Sequence, residues 1–395
     1  MTPSLRLALD GNEANIAQRV GSNVYAFEVL KAMSEEISER NMVATVLLSS
    51  PPLPHLPPET EHWRYVVVKP ARYWTQWAAP LYLEKHRAEF DVFFTPSHYA
   101  PRACPIPYIS SVMDTAYLAY PREFKLKDRI QLTEWTGYSV KHASKVLVIS
   151  RFTKRCVMEA YKRAEKDVVV AYPAVTTQIE KIPIAQKRSY LAKQRITDPF
   201  FLYVGTIQPR KRLTYLIAAF EELCRDLTLA KSRYRPKKGQ HSSLPQLVIA
   251  GKVGWLAAPV VQRVKQSPFS AQIKLLGYVS EHDKTILLQQ AQAVVLIGRH
   301  EGFGIPPLEA MRAGTIPIVA RTGSLPEVVG QAGMLVAADD TLQLRNKMQL
   351  ILDLTSRERA NWVAKGKDQV KRFSWSGTAQ VIFEALESCG TGRPA

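Results

Sequence analysis

Two glutamates and two glycines stand together in the stretch Glu301-Gly-Phe-Gly-Ile-Pro-Pro-Leu-Glu309. The glycines allow the backbone to approach a ligand closely, and Pro306 and Pro307 fit the first turn of a helix. A helix that begins here directs its free N–H groups and its positive dipole end at an anion. Carboxylates such as Glu301 and Glu309 accept hydrogen bonds from vicinal hydroxyls, which sugars and ribose present. The stretch therefore predicts a site for a ligand that carries hydroxyls and negative charge.

The two acids differ in how well local structure alone explains them. An acid in the first turn of a helix is stabilised by the helix dipole, so Glu309 has a purely structural explanation. Glu301 falls in a predicted strand-to-helix loop, where nothing in the local backbone requires a carboxylate. On spacing alone, Glu301 is the better functional candidate.

A second candidate stretch, Gly205-Thr-Ile-Gln-Pro-Arg-Lys-Arg212, separates the apolar run FFLYV from the predicted helix LTYLIAAFEEL. Three consecutive cations at a helix N-terminus oppose the dipole, and a bound anion would remove that conflict. Ordinary solvated charges are the alternative interpretation. Arg210 offers a bidentate fork for phosphate, and Lys211 offers a point charge. The stretch favours phosphate binding.

Short apolar runs alternate with helical stretches and must position these loops. The runs occupy residues 5–9, 43–49, 65–68, 91–95, 108–113, 145–150, 168–172, 200–205, 247–251, 273–279, 293–298, 316–320 and 334–337. Continuous Val, Ile and Leu runs are typical of parallel sheets that helices cover on both faces. Ligands bind beyond the carboxyl ends of such strands, where both candidate stretches fall.

The chain is predicted to form two α/β domains, because 395 residues are too many for one ordinary core. A polar, strand-poor stretch at 176–198 is the predicted linker. It separates an N-terminal domain, 1–175, from a C-terminal domain, 199–372. Residues 373–395 are predicted to form a terminal helix and tail.

These motifs resemble those of the group 1 glycosyltransferases, glycosyltransferase family 4. The resemblance rests on VGTIQPRKR (204–212) and EGFGIPPLEAMRAGTIPIVA (301–320), and extends to VISRFTKR (148–155), GSLPEVVGQAGMLV (323–336) and FSW (373–375). It implies the GT-B fold: two Rossmann-like domains with parallel sheets facing across a cleft, and a C-terminal helix that crosses back to the first domain. It also implies a retaining enzyme that transfers a mannose- or glucose-type hexose from a UDP- or GDP-linked donor.

The resemblance assigns roles in the C-terminal half. Glu309 would hold the ribose hydroxyls of the donor, and Glu301 would face the donor sugar. Arg210 and Lys211 would neutralise the diphosphate leaving group, whose charge grows in the transition state. The other donor-binding candidates are Gly21, Thr206, Gly302, Phe303, Gly304 and Ile305.

In the N-terminal half, Gly21-Ser-Asn23 resembles the glycine loop of the family and places Asn23 among the acceptor-side candidates. Ser110-Ser-Val-Met-Asp114 resembles the strand end at which many members have His-Asp. Met113 stands in the place of that histidine, which leaves Asp114 as the polar catalytic candidate there. His98, after another predicted strand, is a second acceptor-side candidate, although a hydrogen bond within the protein explains a lone histidine equally well.

No cofactor and no metal are predicted. The sequence has no D-x-D triplet to grip a divalent cation, and its four cysteines form no C-x-x-C pair. We expect Arg210 and Lys211 to take the role that a metal ion would otherwise have.

The 53 Lys and Arg residues exceed the 35 Asp and Glu residues by 18, which predicts attraction to anions. The densest cluster, 231–238, is interpreted as a solvated insertion, with a membrane-surface contact as the alternative. No run approaches the ~20 apolar residues of a membrane span, and an early Asp argues against a signal peptide. We therefore expect a cytoplasmic protein, peripheral at the inner face of the membrane, with a glycan or lipid-linked acceptor and no nucleic-acid partner.

Two alternatives remain at this point. A nucleotide-sugar epimerase shares the fold but is not expected to have two acids spaced as Glu301 and Glu309 are. A catalytically degenerate protein that binds polyanions or membrane surfaces would use the positive charge alone. The intact motifs favour the transferase.

Overall fold

The computed structural model of the chain describes residues 4–19, 21–175, 180–233 and 244–390, with the backbone alone for 230–233. The basic cluster predicted at 231–238 lies outside the described side chains. The described residues form two compact units, one reaching Pro173 and resuming at Phe373, the other comprising Ala174–Arg372. No helix in the described ranges has both the length and the apolar character needed to cross a membrane.

The first unit is built on a seven-stranded sheet. Its strands are β1 (Leu5–Asp10), β2 (Met42–Leu48), β3 (Trp63–Val67), β4 (Val92–Thr95), β5 (Tyr108–Val112), β6 (Lys145–Val148) and β7 (Val168–Val170). They pair in the order β3-β2-β1-β4-β5-β6-β7, and every pairing is parallel. The order reverses between β1 and β4, so the loops after these two strands meet at a topological switch point, the usual ligand position in such sheets.

Helices connect these strands and cover the sheet. They are α1 (Ser22–Glu36), α2 (Ala79–Lys85), α3 (Ala116–Ala119), α4 (Leu126–His142) and α5 (Arg151–Tyr161). A π-helical turn, Trp74–Ala78, leads into α2. Aromatic and aliphatic side chains from both strands and helices, such as Trp74, Leu83 and Phe93, form one buried core cluster.

The second unit repeats the architecture with six strands. These are β8 (Phe200–Val204), β9 (Gln246–Ala250), β10 (Ile273–Gly277), β11 (Ala293–Leu296), β12 (Ile316–Ala320) and β13 (Met334–Val336). The order is β10-β9-β8-β11-β12-β13, again parallel throughout. Its switch point lies between β8 and β11, the strands that precede the two candidate stretches of the sequence.

The helices of the second unit follow the same alternation. They are α6 (Ile184–Lys193), α7 (Leu213–Arg233), α8 (Ala258–Gln266), α9 (Glu281–Gln290), α10 (Ile305–Ala313), α11 (Leu325–Val329), α12 (Thr341–Asp353) and α13 (Ser356–Val370). The segment predicted as a linker, 176–198, contains α6, whose Tyr190 and Leu191 pack against the core of this unit. The segment is therefore a packed helix and not only a linker. The sequence analysis overlooked it because its few apolar residues stand within a mostly polar stretch.

The last helix, α14 (Trp375–Gly390), belongs to the first unit. Trp375 contacts the ring of Tyr25 on α1 with centroids 6.0 Å apart. Ile382, Phe383 and Leu386 are fully buried, so the helix supplies core and not surface. The return of this helix to the first unit agrees with the predicted C-terminal crossover helix, while residues 391–395 of the predicted tail lie outside the described residues.

Candidate functional site

Lys211 and Glu301 form an ion pair at the switch point of the second unit. The Nζ of Lys211 donates to both carboxylate oxygens of Glu301, at 2.6 and 2.7 Å. The two side chains are 14% and 9% exposed, so the pair is largely removed from water. Parallel strands β8 and β11 bring their carboxyl ends together, which joins residues 90 positions apart. The structure thus brings together two sequence-predicted site residues.

The loop that carries Glu301 is fixed by neighbouring backbone and hydroxyl groups. The Ser324 hydroxyl lies 2.8 Å from the carbonyl oxygen of Glu301 and 2.7 Å from that of Phe303, so these two acceptors share its single proton. Gly323 has a φ of 59°, and a Cβ there would lie 2.7 Å from the Glu301 carbonyl oxygen. Only glycine meets both conditions without strain. Ser324 and Gly323 belong to the GSLPEVV motif, which the sequence analysis noted without giving it this supporting role.

Gly298 leaves room for the Glu301 carboxylate. A Cβ at this position would lie 2.5 Å from Glu301 Oε1 and 3.3 Å from the carbonyl oxygen of Arg210. We predict that Gly298→Ala lowers kcat on the order of 10²-fold, because it displaces the carboxylate from Lys211 by about an ångström. The unfolding midpoint should fall as well, because the displacement weakens a buried ion pair, so kcat is measured at a temperature at which the variant is folded. Steady-state kinetics and thermal unfolding test this.

Gly137→Ala is the matched control for that substitution. A Cβ at Gly137 meets only Tyr161 Cε1, at 3.5 Å, an ordinary contact. This variant should keep full activity. Equal activities of the two variants would show that the space beside Glu301 is unimportant.

The three consecutive cations have different environments. The side chain of Arg212 is 2% exposed and donates to the Ala338 carbonyl at 2.6 Å and to the Asp339 carboxylate. Lys211 has Glu301 as its partner. Acceptors of the protein itself therefore already offset the charges of these two cations, and phosphate binding beside them stays a prediction. Arg210, half-buried, donates from Nε to Gln208 Oε1 at 3.1 Å.

Glu309 is the fifth residue of α10, which begins at Ile305. The first-turn explanation offered by the sequence is wrong, because the helix dipole acts mainly within the first turn. Glu309 instead accepts from Lys284 Nζ at 2.8 Å, and both side chains are largely buried, at 11% and 14% exposure. Lys284 also pairs with Glu281. The sequence analysis did not identify Lys284 as a site residue. The one sign of it in the sequence is a lysine in the polar first turn of α9.

The remaining donor-binding candidates of this unit line the same edge. Gly302, Phe303 and Gly304 are buried, and Gly304 caps α10 with a φ of 102°. Ile305 is half-buried at the helix start, followed by Pro306 and Pro307 as predicted. Thr206 is exposed, and its carbonyl accepts from the buried hydroxyl of Tyr203 at 3.2 Å. Burial, and next the nearby charge of Glu301, raises the pKa of Tyr203, so this donor stays protonated.

The switch point of the first unit also gathers polar groups. Buried Asp10, at the end of β1, accepts from Thr95 Oγ1 at 3.1 Å and from Asn12 Nδ2 at 2.8 Å. Glu13 accepts from the side-chain amide of Asn23, an acceptor-side candidate. Burial raises the pKa of both acids, and the charge of Asp10 raises that of Glu13 further. Gly21 precedes α1 with a φ of 52° and open space around it.

His98 lies beside Met113, the residue at the histidine position of the family. The Met113 backbone N–H donates to His98 Nε2 at 3.3 Å. Because Nε2 accepts, the proton of the neutral ring is on Nδ1, which is buried and has no hydrogen-bond partner within the described residues. Burial lowers the pKa of His98, while the nearby Asp114 opposes the shift. Asp114 Oδ1 itself accepts from the Ala116 N–H at 3.0 Å.

We predict that His98 remains neutral, as the Nδ1–H tautomer, when the pH falls to its ordinary pKa of 6.5. The folded state then binds fewer protons than the unfolded state, so this residue lowers stability as the pH falls below about 6.5. Nitrogen-15 NMR of the ring identifies the tautomer directly. A ring that titrates at 6.5, or that is protonated on Nε2 at pH 8, would contradict the assignment.

The candidates thus form two sets, one in each unit. Within the described ranges of the chain, there is no group of three or more His, Cys, Asp or Glu side chains that could hold a metal ion. The predicted chemistry depends on cations and carboxylates of the protein.

Comparison with known families assigns the second unit. Residues 186–369 match the model of the family described as "Glycosyl transferases group 1". This segment contains Lys211, Lys284, Glu301 and Glu309. The chain carries a group 1 glycosyltransferase domain. The protein is a glycosyltransferase, as the resemblance of its motifs implies.

Relatives of this glycosyltransferase include mannosyltransferases of Escherichia coli. The O-antigen chain mannosyltransferase B is 28% identical over 300 residues, which cover 74% of this chain and 73% of the relative. The serotype-specific mannosyltransferase WbdA is 28% identical over 250 residues, which cover 62% of this chain and 29% of that protein. The match therefore spans less than a third of this second relative. These relatives favour the transferase over the epimerase and the binding module.

The fold of the glycosyltransferase also has counterparts among solved structures. The crystal structure of Anabaena Alr3699/HepE in complex with UDP and glucose aligns with a TM-score of 0.70 at 15% identity. The alignment covers 97% of this chain and 100% of that chain. The predicted GT-B class is confirmed.

Proposed function

We propose that the protein is a retaining hexosyltransferase that moves mannose from a nucleotide diphosphate sugar, GDP- or UDP-linked, to a hydroxyl acceptor without a metal ion. The mannosyltransferase relatives support the sugar. The family resemblance supports both retention and membership of glycosyltransferase family 4. Glucose is the second candidate sugar.

The buried Lys211–Glu301 pair carries this proposal. Glu301 holds the ammonium of Lys211 in one position before any donor binds, so little reorganisation is needed when charge develops on the leaving diphosphate. Arg210, one residue away, adds a second cation with a planar fork. Glu309, fixed by Lys284 on the same edge of the sheet, is placed to accept hydrogen bonds from ribose hydroxyls.

The reaction exchanges one bond at the anomeric carbon. The acceptor hydroxyl oxygen bonds to that carbon as the bond to the diphosphate oxygen breaks. The hydroxyl proton leaves with the diphosphate, which carries away the bonding electron pair. Lys211 and Arg210 stabilise the negative charge of the leaving group. Asp114 is the catalytic candidate of the first unit, and Asn23 and His98 are the acceptor-side candidates.

We place the acceptor among glycans or lipid-linked glycans and the enzyme in the cytoplasm, peripheral at the inner face of the membrane. The net charge of +18 supports an anionic acceptor or surface. Nucleic acid is not an expected partner.

Thermal unfolding with UDP, GDP, ADP and their sugars, all in EDTA, tests the donor site without an acceptor. A ligand at ~100 times its Kd adds roughly 2.7 kcal/mol to the folded state. We expect GDP or UDP and its mannose derivative to stabilise the protein, and Lys211→Ala or Glu309→Ala to reduce the stabilisation at the same nucleotide concentration. Absence of stabilisation by any nucleotide, with or without Mg²⁺, would refute the assignment of the donor site. Stabilisation only with Mg²⁺ would refute metal independence.

A further inference from the structure

An exposed apolar surface lies after strand β3 in the first unit. Val67, Tyr73, Trp77 and Leu81 are 39%, 57%, 66% and 66% exposed, respectively. They border an open cavity of about 610 Å³, whose lining also includes Lys69, Arg72 and Lys85. We call these seven residues the aromatic shelf.

The local sequence builds the shelf from one face of a helical segment. Trp77 and Leu81 are four residues apart in the continuous segment of the π-helical turn and α2, which places them on one face. Tyr73 immediately precedes this segment with a φ of 57° and lines the same cavity. The opposite face is buried, with Trp74 and Leu83 in the core of the unit. The segment therefore has two apolar faces, and the core uses only one. Burial of the second face from water is favourable in proportion to its apolar area.

The charges around the shelf have one sign. Its lining residues, all within the described part of the chain, include three cations and no acid. The guanidinium of Arg72 lies 4.9 Å from the ring centre of Tyr73, and Lys69 Nζ donates to the Ser49 carbonyl at 2.8 Å. Glu84, on α2, is not among the lining residues. An occupant must therefore offer apolar groups beside negative charge.

The geometry points to an anionic lipid bilayer as the occupant. Trp and Tyr rings are favourable at the level of the lipid headgroups, and Leu81 and Val67 contribute apolar area below that level. Lysine and arginine bind anionic headgroups while their aliphatic stems lie against apolar surface. The aromatic shelf would thus insert between headgroups that its three cations attract.

Two other occupants fit the same residues less well. A second copy of the chain would bring the same three cations face to face in a symmetric contact, within a protein of net charge +18. A nucleic acid would match the charge and could stack on Tyr73 and Trp77, but its bases and phosphates would leave the exposed apolar surface of Leu81 and Val67 without an apolar partner.

The shelf follows β3 at the carboxyl edge of the sheet, the edge at which Asp10 and Thr95 meet. Docking would place that edge near the bilayer, where a lipid-linked acceptor presents its hydroxyl. The inference rests on the proposed peripheral location and names the surface that binds the membrane, and it needs no knowledge of the sugar. Binding to vesicles is measured without turnover, so its failure is distinguishable from failure of the donor site.

Flotation with phosphatidylcholine vesicles, with and without 30% phosphatidylglycerol, tests the shelf. We expect the full chain to float with the anionic vesicles at low salt and to be released at high salt. Trp77→Ala/Leu81→Ser should lower the partition coefficient about tenfold or more, because it removes two large apolar side chains from the interface. Ile184→Ser is the matched control, since Ile184 is 67% exposed in the second unit.

Charge reversal gives a second, independent test. Arg72→Glu/Lys85→Glu should reduce binding by more than about 30-fold, the factor for loss of two cations at roughly 1 kcal/mol each. The control, Lys265→Glu/Arg357→Glu, makes the same change in net charge at two exposed positions elsewhere. Equal losses for the pair and its control would attribute binding to net charge and overturn the inference.

Brominated lipids report insertion even for a variant of altered stability. They should quench the fluorescence of the full chain, and Trp77→Phe should remove most of that quenching while flotation persists. Unchanged quenching in Trp77→Phe, or concentration-dependent dimerisation that Trp77→Ala/Leu81→Ser abolishes, would overturn the bilayer as the occupant.

Discussion

Lys211→Met will lower kcat on the order of 10²- to 10³-fold, because it removes a preplaced positive charge from the leaving group. It will also lower the free energy of unfolding by about 3 kcal/mol, since it leaves the carboxylate of Glu301 buried without its partner. Adding Glu301→Gln should recover most of the stability and none of the activity. Denaturant unfolding and steady-state kinetics of the single and double variants measure the two effects separately.

The Arg263–Glu221 ion pair provides a matched control in the same unit. Glu221 is 6% exposed at its side chain, and its partner lies on α8, away from the loops of the candidate site. Arg263→Met should lower stability without changing kcat once the protein is folded. If the Lys211 double variant regained activity together with stability, the pair would be structural and the catalytic assignment would fail.

Glu309→Ala will raise the Kd of the nucleotide diphosphate about 10- to 100-fold, the cost of losing hydrogen bonds from ribose to a charged acceptor. Turnover at saturating donor should change much less, because these bonds are equally present in ground and transition states. Glu301→Ala should show the reverse, with a large fall in kcat. Calorimetric titration of the nucleotide and the separation of KM from kcat measure this difference. Equal and negligible effects of both substitutions would refute the site.

The Lys284–Glu309 pair makes the free energy of unfolding depend on pH, and the direction of that dependence can be predicted. Burial acts to lower the pKa of Lys284, but the charges of Glu309 and Glu281 outweigh it, and the pKa is raised above its ordinary 10.5. A raised lysine pKa contributes stability that is fully present below about pH 10.5 and is lost as the pH rises through the folded-state value. The stability difference between the wild type and Lys284→Met should therefore shrink above pH 10.5. A difference that grows there would contradict the sign.

The strands could be predicted because a parallel strand that is buried on both faces is a continuous apolar run. Each of the thirteen runs in the sequence overlaps one strand of the two sheets. The partners of the candidate side chains could not be predicted in this way. Lys211 and Glu301 are 90 residues apart, and only the position of β8 beside β11 makes them neighbours.

Two local errors have local causes. The start of α10 depends on the backbone of Gly304, with a φ of 102°, which moves Glu309 beyond the first turn. The environment of Arg212 depends on its own φ of 56°, which separates the turn Pro209–Lys211 from α7 and directs the side chain to Asp339. Residue types alone specify neither dihedral angle.

The path of the chain between the units constrains the order in which they are completed during synthesis. The second unit is one uninterrupted segment, Ala174–Arg372, so all of its residues leave the ribosome before Phe373 does. The first unit begins earlier but lacks α14, and with it the buried Ile382, Phe383 and Leu386, until translation has passed that helix. Until then α14 does not cover the hydrophobic surface that it contacts in the folded protein, which includes Tyr25 on α1. We expect chaperones to bind the nascent chain at this uncovered surface.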